Sequence, residues 1–166
     1  LGLPEVDLDW AELKDPYGIE FWPEFKGRDG CRTPMVWITD NAAGGFSTGT
    51  PWLPVKAQHR PLSVAAQEAN PSSMLNHYRT ALAFRRAHPV LRHGTMEGIA
   101  AEGAVAHFLR RGDETLFCAF NLGDSPAKVS LPDGRWQTVG QDLGSVTPDG
   151  RSIVLPAWGV MLAMAA

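Results

Sequence analysis

Cysteine, excess positive charge and long apolar runs are all scarce in this 166-residue chain. Cysteine occurs only at Cys31 and Cys118, too seldom for a disulfide framework, and free thiols in a reducing cytoplasm are expected. Lys and Arg number 15 against 18 Asp and Glu, a formal net charge of -3. With no basic patch, a nucleic-acid partner is not expected. No apolar run approaches the ~20 residues that span a bilayer, so no membrane partner is expected either. The histidines His59, His77, His88, His93 and His107 lack the spacing of a ligand set, and neither a metal nor any other cofactor is expected. Gly44-Gly45 is followed by no Lys-Ser/Thr, which excludes a phosphate loop. The chain opens Leu1-Gly2, without an initiator Met or a charged-then-apolar leader, and is expected to begin inside a longer protein.

What remains is a globular composition, 44% hydrophobic and 20% charged, with enough apolar material for a core. The first 60 residues are rich in Pro, Gly and aromatics (Trp10, Tyr17, Phe21, Trp22, Phe25, Trp37, Phe46, Trp52) and show no sustained periodicity. A disordered segment is poor in aromatics, so an ordered, packed loop system is expected, with helical turns near 7–13 and 62–69. A single clear helix follows over 71–88. Asn70 suits its N-cap and Pro71 its first position, while Met74, Leu75, Tyr78 and Leu82 form an apolar stripe at spacings of three and four. Beyond Gly94, strand-like segments at 104–111, 114–122, 128–131, 135–139, 151–155 and 158–164 alternate with turn signals at Gly112-Asp113 and Pro132-Asp133-Gly134. They predict an antiparallel β-sandwich.

The most informative stretch is Gly27-Arg28-Asp29-Gly30-Cys31-Arg32-Thr33-Pro34-Met35-Val36-Trp37. Gly27, Gly30 and Pro34 break regular structure. A loop that concentrates guanidinium charge, a carboxylate and a large aromatic suits binding more than connection. Arg28 and Arg32 present rigid donor forks that stay charged at any working pH. They serve either a ligand or a salt bridge pinning the loop, with Asp29 as the near partner. Phe46 and Trp37 offer ring faces that either stack on a sugar or pack the loop. Glu5, Asp7, Asp9, Glu12 and Asp15 read as a solvated acidic face, Cys31 as a packed, inert thiol and His77 as packed beside the helix stripe.

The Arg28-to-Trp37 block resembles the Arg-Asp-x-x-Arg-Thr-Pro-Met-x-Trp block of family 13 α-glucosidases, in the α-amylase superfamily. The likeness extends to Gly2-Leu3-Pro4, Asp15-Pro16-Tyr17-Gly18-Ile19, Gly45-Phe46-Ser47-Thr48-Gly49 and Pro51-Trp52-Leu53-Pro54. One departure is Ile38, where the family often has Asp after the Trp. The resemblance implies a fragment of a (β/α)8 barrel, namely the long loop after strand eight and the last helix in residues 1–90. An all-β antiparallel sandwich would follow in residues 91–166.

It also implies a retaining α-glucosidase acting on short α-glucosides, with Arg28, Arg32 and Phe46 as substrate-binding residues and the upstream barrel as partner. The two carboxyls that such hydrolysis needs have no matching block here, so no catalytic residue is expected in this chain. A whole barrel takes ~250 residues, more than the chain contains. The alternative is a stand-alone carbohydrate-binding or structural module that partners a separate barrel.

Overall fold

In the computed structural model, which describes residues 1–148 and 150–166, with the backbone alone at 99–102, the chain forms two compact units, Leu1–Tyr78 and Arg79–Ala166. The first has no sheet. It comprises short helices α1 (Pro16–Glu20) and α2 (Val64–Glu68), 3-10 turns at Trp10–Glu12, Asp29–Cys31 and Ala57–Leu62, and the start of α3 (Met74–Ala87). Without strand ladders, backbone groups must find other partners, and side chains supply many of them. Asp15 caps α1, with Pro16 in its first turn, and Ser63 caps α2. Asn41 Oδ1 accepts from the amides of Ala43 and Gly45. Arg60 donates to the carbonyls of Thr39, Asn41 and Ala42. The amides of Val64 and Ala65 donate to the carbonyls of Val36 and Trp37, at 2.9 and 3.0 Å. The start of α2 thus holds the end of the Arg28-to-Trp37 block.

A small core of Leu8, Leu13 and Leu53, with Trp22 against it, underlies these loops. The expectation of a packed aromatic loop is corrected here. Trp10, Tyr17, Phe21, Phe25, Trp37, Phe46 and Trp52 are all exposed, and of the eight aromatics only Trp22 packs on the core. The residues that sink are aliphatic, because short loops over so small a core have no depth for large rings.

The helix begins three residues later than its sequence suggests. Asn70 and Pro71 lie in a turn, closed by Ser72 N donating to Asn70 Oδ1. Ser73 is the effective cap, its Oγ accepting from Asn76 N at 3.2 Å and donating to Gln67 O at 2.7 Å. Three of the four stripe residues are open to water, Met74, Tyr78 and Leu82 at 49%, 63% and 49% exposed, while Leu75 is half-buried. His77 is exposed rather than packed.

In the second unit the hairpin expected at Gly112-Asp113 is present, joining β2 (Val105–Arg111) and β3 (Thr115–Asn121). The five-stranded antiparallel sheet runs β1-β2-β3-β7-β5, with β5 at Trp136–Val139 and β7 at Val160–Ala165. The second sheet pairs β4 (Ala127–Ser130) with β6 (Ser152–Leu155). Pro132-Asp133-Gly134 therefore carries the chain from one sheet to the other, since β4 pairs with β6 and β5 with β7. Strand β1 (Thr95–Glu102) has no counterpart in the sequence reading. Gly98, at φ +60°, falls where its register with β2 shifts between Glu97 and Ala100, and this irregularity breaks the alternation.

Alternation of side chains puts Phe117 and Ala119 of β3 and Met161 and Ala163 of β7 against Val129, Ile153 and Leu155 of the smaller sheet. The opposite face buries Leu116, Cys118 and Leu162 with Val90 of the short helix α4 (Val90–His93), and Phe84 packs against this cluster. Burial pushes the Cys118 thiol up to about 11, the charge of Arg110 pulling the other way. The central strands are thus covered on both faces.

Leu155 is fully buried in the core shared by the two sheets. Leu155→Ala is expected to cost about 2–5 kcal/mol of this unit's stability, read as a lower urea midpoint in far-UV circular dichroism. A change under about 0.5 kcal/mol, the range of an ordinary surface site, would contradict the shared core.

Candidate functional site

Two buried carboxylates organise the loop that carries the arginines. Asp29 is fully buried, and its Oδ2 accepts from the backbone amides of Lys14 at 2.6 Å and Asp15 at 2.7 Å. Its Oδ1 has no partner among the described residues. Asp15, 3% exposed, uses both oxygens. Oδ1 accepts from Tyr17 N at 3.1 Å, and Oδ2 accepts from Arg28 N at 3.0 Å and Arg28 Nε at 3.3 Å. The partner that pins Arg28 is therefore Asp15 and not Asp29, and Asp15 is no member of a solvated acidic face. Burying a carboxylate is costly unless donors surround it; here backbone amides and one guanidinium provide them.

Burial pushes the Asp15 carboxyl up. The amides of Arg28 and Tyr17 and then the Arg28 guanidinium outweigh it and hold the group below the usual carboxylate range. Glu12 is lowered too, chiefly by its hydrogen bond from Lys56 Nζ at 2.5 Å and then by the Asp9 amide. Asp7 pairs with Lys26 at 2.8 Å on the surface. The acidic cluster thus divides among three roles: a buried anchor, a tether and a solvated pair.

The glycines of the block are where a side chain will not fit. A Cβ at Gly30 would sit 2.1 Å from the Val6 carbonyl oxygen, and Gly27 adopts φ +71° with the Asp15 side chain 2.9 Å from a Cβ position. His59, buried, bridges Thr33 Oγ1 at 3.3 Å and the Pro4 carbonyl at 2.7 Å. Since the Pro4 oxygen can only accept, Nε2 carries the proton. His59 so ties the Gly2-Leu3-Pro4 segment to the Thr-Pro of the block.

Arg28 keeps 63% of its side chain exposed despite the contact to Asp15. Arg32 is exposed and makes no side-chain hydrogen bond or ion pair among the described residues. Phe46, 54% exposed, lines an open hollow of about 1000 Å³ with Trp52, Glu12, Lys14 and Asn41. Neither arginine lines that hollow, so the structure presents the arginines and Phe46 as separate features of one loop system. Both thiols are free. Cys31 is exposed rather than packed, its Sγ donating to the Arg28 carbonyl at 3.0 Å. Among the described residues no group of three or more His, Cys, Asp or Glu is placed to hold a metal, and no helix is long and apolar enough to cross a membrane.

The anchoring roles of Asp15 and His59 were not read from the sequence. Asp15-Pro16 carries a signal, a capping residue before a first-turn proline; His59 carries none, since its two partners lie 26 and 55 residues away.

Comparison with known proteins places these residues in context. A family profile described as "Alpha amylase, catalytic domain" matches residues 1–94. A "Probable alpha-glucosidase" of Rhizobium meliloti (strain 1021) is 49% identical over 167 residues, spanning 98% of this chain and 30% of that protein. An "Oligo-1,6-glucosidase" of Parageobacillus thermoglucosidasius is 31% identical over 122 residues, spanning 72% of this chain and 22% of that protein. The crystal structure of an alpha-glucosyl transfer enzyme, XgtA, superposes with a TM-score of 0.86 at 39% identity, covering 99% of this chain and 31% of that one. The chain therefore spans under a third of the relatives it matches.

Asp15 gives the site a defined acid sensitivity. A carboxyl whose folded-state pKa lies below its unfolded value stabilises the fold fully above the unfolded value, ~3.9 for Asp, and ceases to do so as pH falls through the folded value. Asp15→Asn is therefore expected to lower the stability of residues 1–78 at pH 7 and to flatten its decline below about pH 4, monitored by tryptophan fluorescence in urea. An unchanged acid limb in Asp15→Asn would place the sensitive group elsewhere.

Proposed function

Because this chain belongs to the α-amylase family, we propose that it is the C-terminal portion of a retaining α-glucosidase. Residues 1–90 form the end of the catalytic barrel, comprising the loop after strand eight and the last helix, and residues 91–166 form the C-terminal β-sandwich. The substrate is the terminal α-linked glucose of a short α-glucoside. Hydrolysis or transfer proceeds by double displacement, with one carboxyl attacking the anomeric carbon and a second protonating the leaving oxygen. Both carboxyls come from the barrel portion outside these residues; Arg28, Arg32 and Phe46 contribute one wall of the pocket. The enzyme works in the cytoplasm.

The observation that carries this reading is the state of Arg28. Its backbone amide and Nε are held by a buried carboxylate, while the side chain stays 63% exposed and its terminal nitrogens make no hydrogen bond among the described residues. A merely structural arginine would be consumed by its partner; this one is held at the base and presented at the tip. An anchored fork of this kind donates to sugar hydroxyls and to a neighbouring carboxylate at once. The exposed stripe of α3 supports the same reading. Met74, Tyr78 and Leu82 are apolar at helical spacing, as expected of a barrel helix whose neighbours lie outside the chain.

Two outcomes are expected. Purified residues 1–166 turn over no p-nitrophenyl α-glucoside, and turnover that persists after removal of contaminating glucosidase would contradict the reading. In the full-length enzyme Arg28→Ala lowers kcat/KM about 30-fold or more, the equivalent of ~2 kcal/mol, while circular dichroism shows the enzyme still folded. Arg28→Lys restores only part of the loss, because a point charge replaces a fork. Near-normal kinetics of Arg28→Ala would remove Arg28 from the pocket.

A further inference from the structure

We infer that Asp15 and Asp29 are positioning residues that act in series to aim the Arg28 guanidinium. The inference rests on the reading of Arg28 as a substrate-binding residue. The chain of contacts is short. Asp29 takes the amides of Lys14 and Asp15 at 2.6 and 2.7 Å, which fixes the backbone immediately before α1. That backbone sets where the Asp15 carboxylate points. Asp15 Oδ2 then takes both the amide and Nε of Arg28, at 3.0 and 3.3 Å.

Two donors of one residue on one oxygen fix the stem of the side chain as well as its origin. Arg has five N–H donors; Nε is spent on Asp15, and the four on the terminal nitrogens remain. The Arg28 side chain is 63% exposed and the carboxylate that anchors it 1%, so a mostly exposed side chain is tied to a buried group. An exposed, unanchored arginine loses considerable rotamer entropy on binding a ligand; an arginine fixed at Nε loses less.

Packing leaves little freedom in this arrangement. Gly27 brings the chain against the Asp15 side chain, and Gly30 lies against the Val6 carbonyl. The spacing Gly-Arg-Asp-Gly thus follows from the two carboxylates: a glycine on each side of Arg28-Asp29 lets one residue reach Asp15 and the next reach the Lys14-Asp15 amides. Cys31 Sγ, donating to the Arg28 carbonyl, closes the turn from the other side.

The test uses the full-length enzyme and a double-mutant cycle. Asp15→Asn and Asp29→Asn are each expected to lower kcat/KM about tenfold or more, the scale of a hydrogen bond to a charged group. Neither is expected to lower it further in an Arg28→Ala background, since a residue that acts only through Arg28 has nothing left to position. Addition of guanidinium chloride at tens of millimolar is expected to restore part of the activity of Arg28→Ala, and to restore none in Arg28→Ala combined with Asp15→Asn. A general structural role would move neither the non-additivity nor the rescue.

Additive losses, or equal rescue with and without the Asp15 carboxylate, overturn the positioning role while leaving the binding role of Arg28 intact. A normal kcat/KM in Arg28→Ala overturns both. Melting curves recorded first show whether each variant is folded; should Asp29→Asn unfold, the Asp15→Asn cycle and the rescue decide alone.

Discussion

The hydrogen bonds that the Asp15 carboxylate receives from Arg28 are the contact on which the first unit depends. Asp15 is buried with a negative charge, which is tolerable because the Tyr17 amide and the amide and Nε of Arg28 donate to it. That requirement dictates the local chain path. Tyr17 must supply an amide, so α1 starts at Pro16. Arg28 must approach, so Gly27 takes a left-handed conformation against the Asp15 side chain. The Asp15 amide must itself be satisfied, and Asp29 does so. Local structure, packing and the presentation of a guanidinium are thus a single consequence of where one carboxylate is buried.

The two units solve the same problem of backbone satisfaction by opposite means. In the second, ladders between strands pair the backbone, and side chains are free to fill a core on both faces of the central sheet. In the first, Asp15, Asp29, Asn41, Arg60, Ser63 and Gln67 do by side-chain hydrogen bonds what a sheet does by repetition. Such a network specifies one geometry closely and contributes little apolar burial. It suits a surface that presents exposed arginines and aromatics, and it explains why the large rings of this region remain in contact with water.

Much of the architecture was legible from residues alone, and the failures have physical causes. Hairpin β2-β3, the late strands and a helix after Asn70 follow from alternation, turn residues and periodicity, which are local signals. The helix start moved because Asn70 and Ser73 both cap well, and the hydrogen bond from Ser73 Oγ to the Gln67 carbonyl favours the later one. Strand β1 was illegible because its pairing is interrupted at Gly98. At the candidate site the block from Gly27 to Trp37 was evident, while the identity of the Arg28 partner was not. Asp29 is adjacent in sequence and Asp15 is 13 residues away, yet the adjacent carboxylate points into the interior. Sequence proximity misleads where a buried group has its own donors to find.

The central claim is that the Asp29–Asp15–Arg28 contacts fix this loop before any ligand or further domain is added. Amide hydrogen exchange of the 166-residue chain, resolved residue by residue by NMR, tests it most directly. Amides of Lys14, Asp15, Tyr17 and Arg28 should be protected together, and Asp15→Asn should release Tyr17 and Arg28 while those of the β3-β7 ladder stay protected. Exchange of the four wild-type amides at the rate of an open chain would contradict the claim.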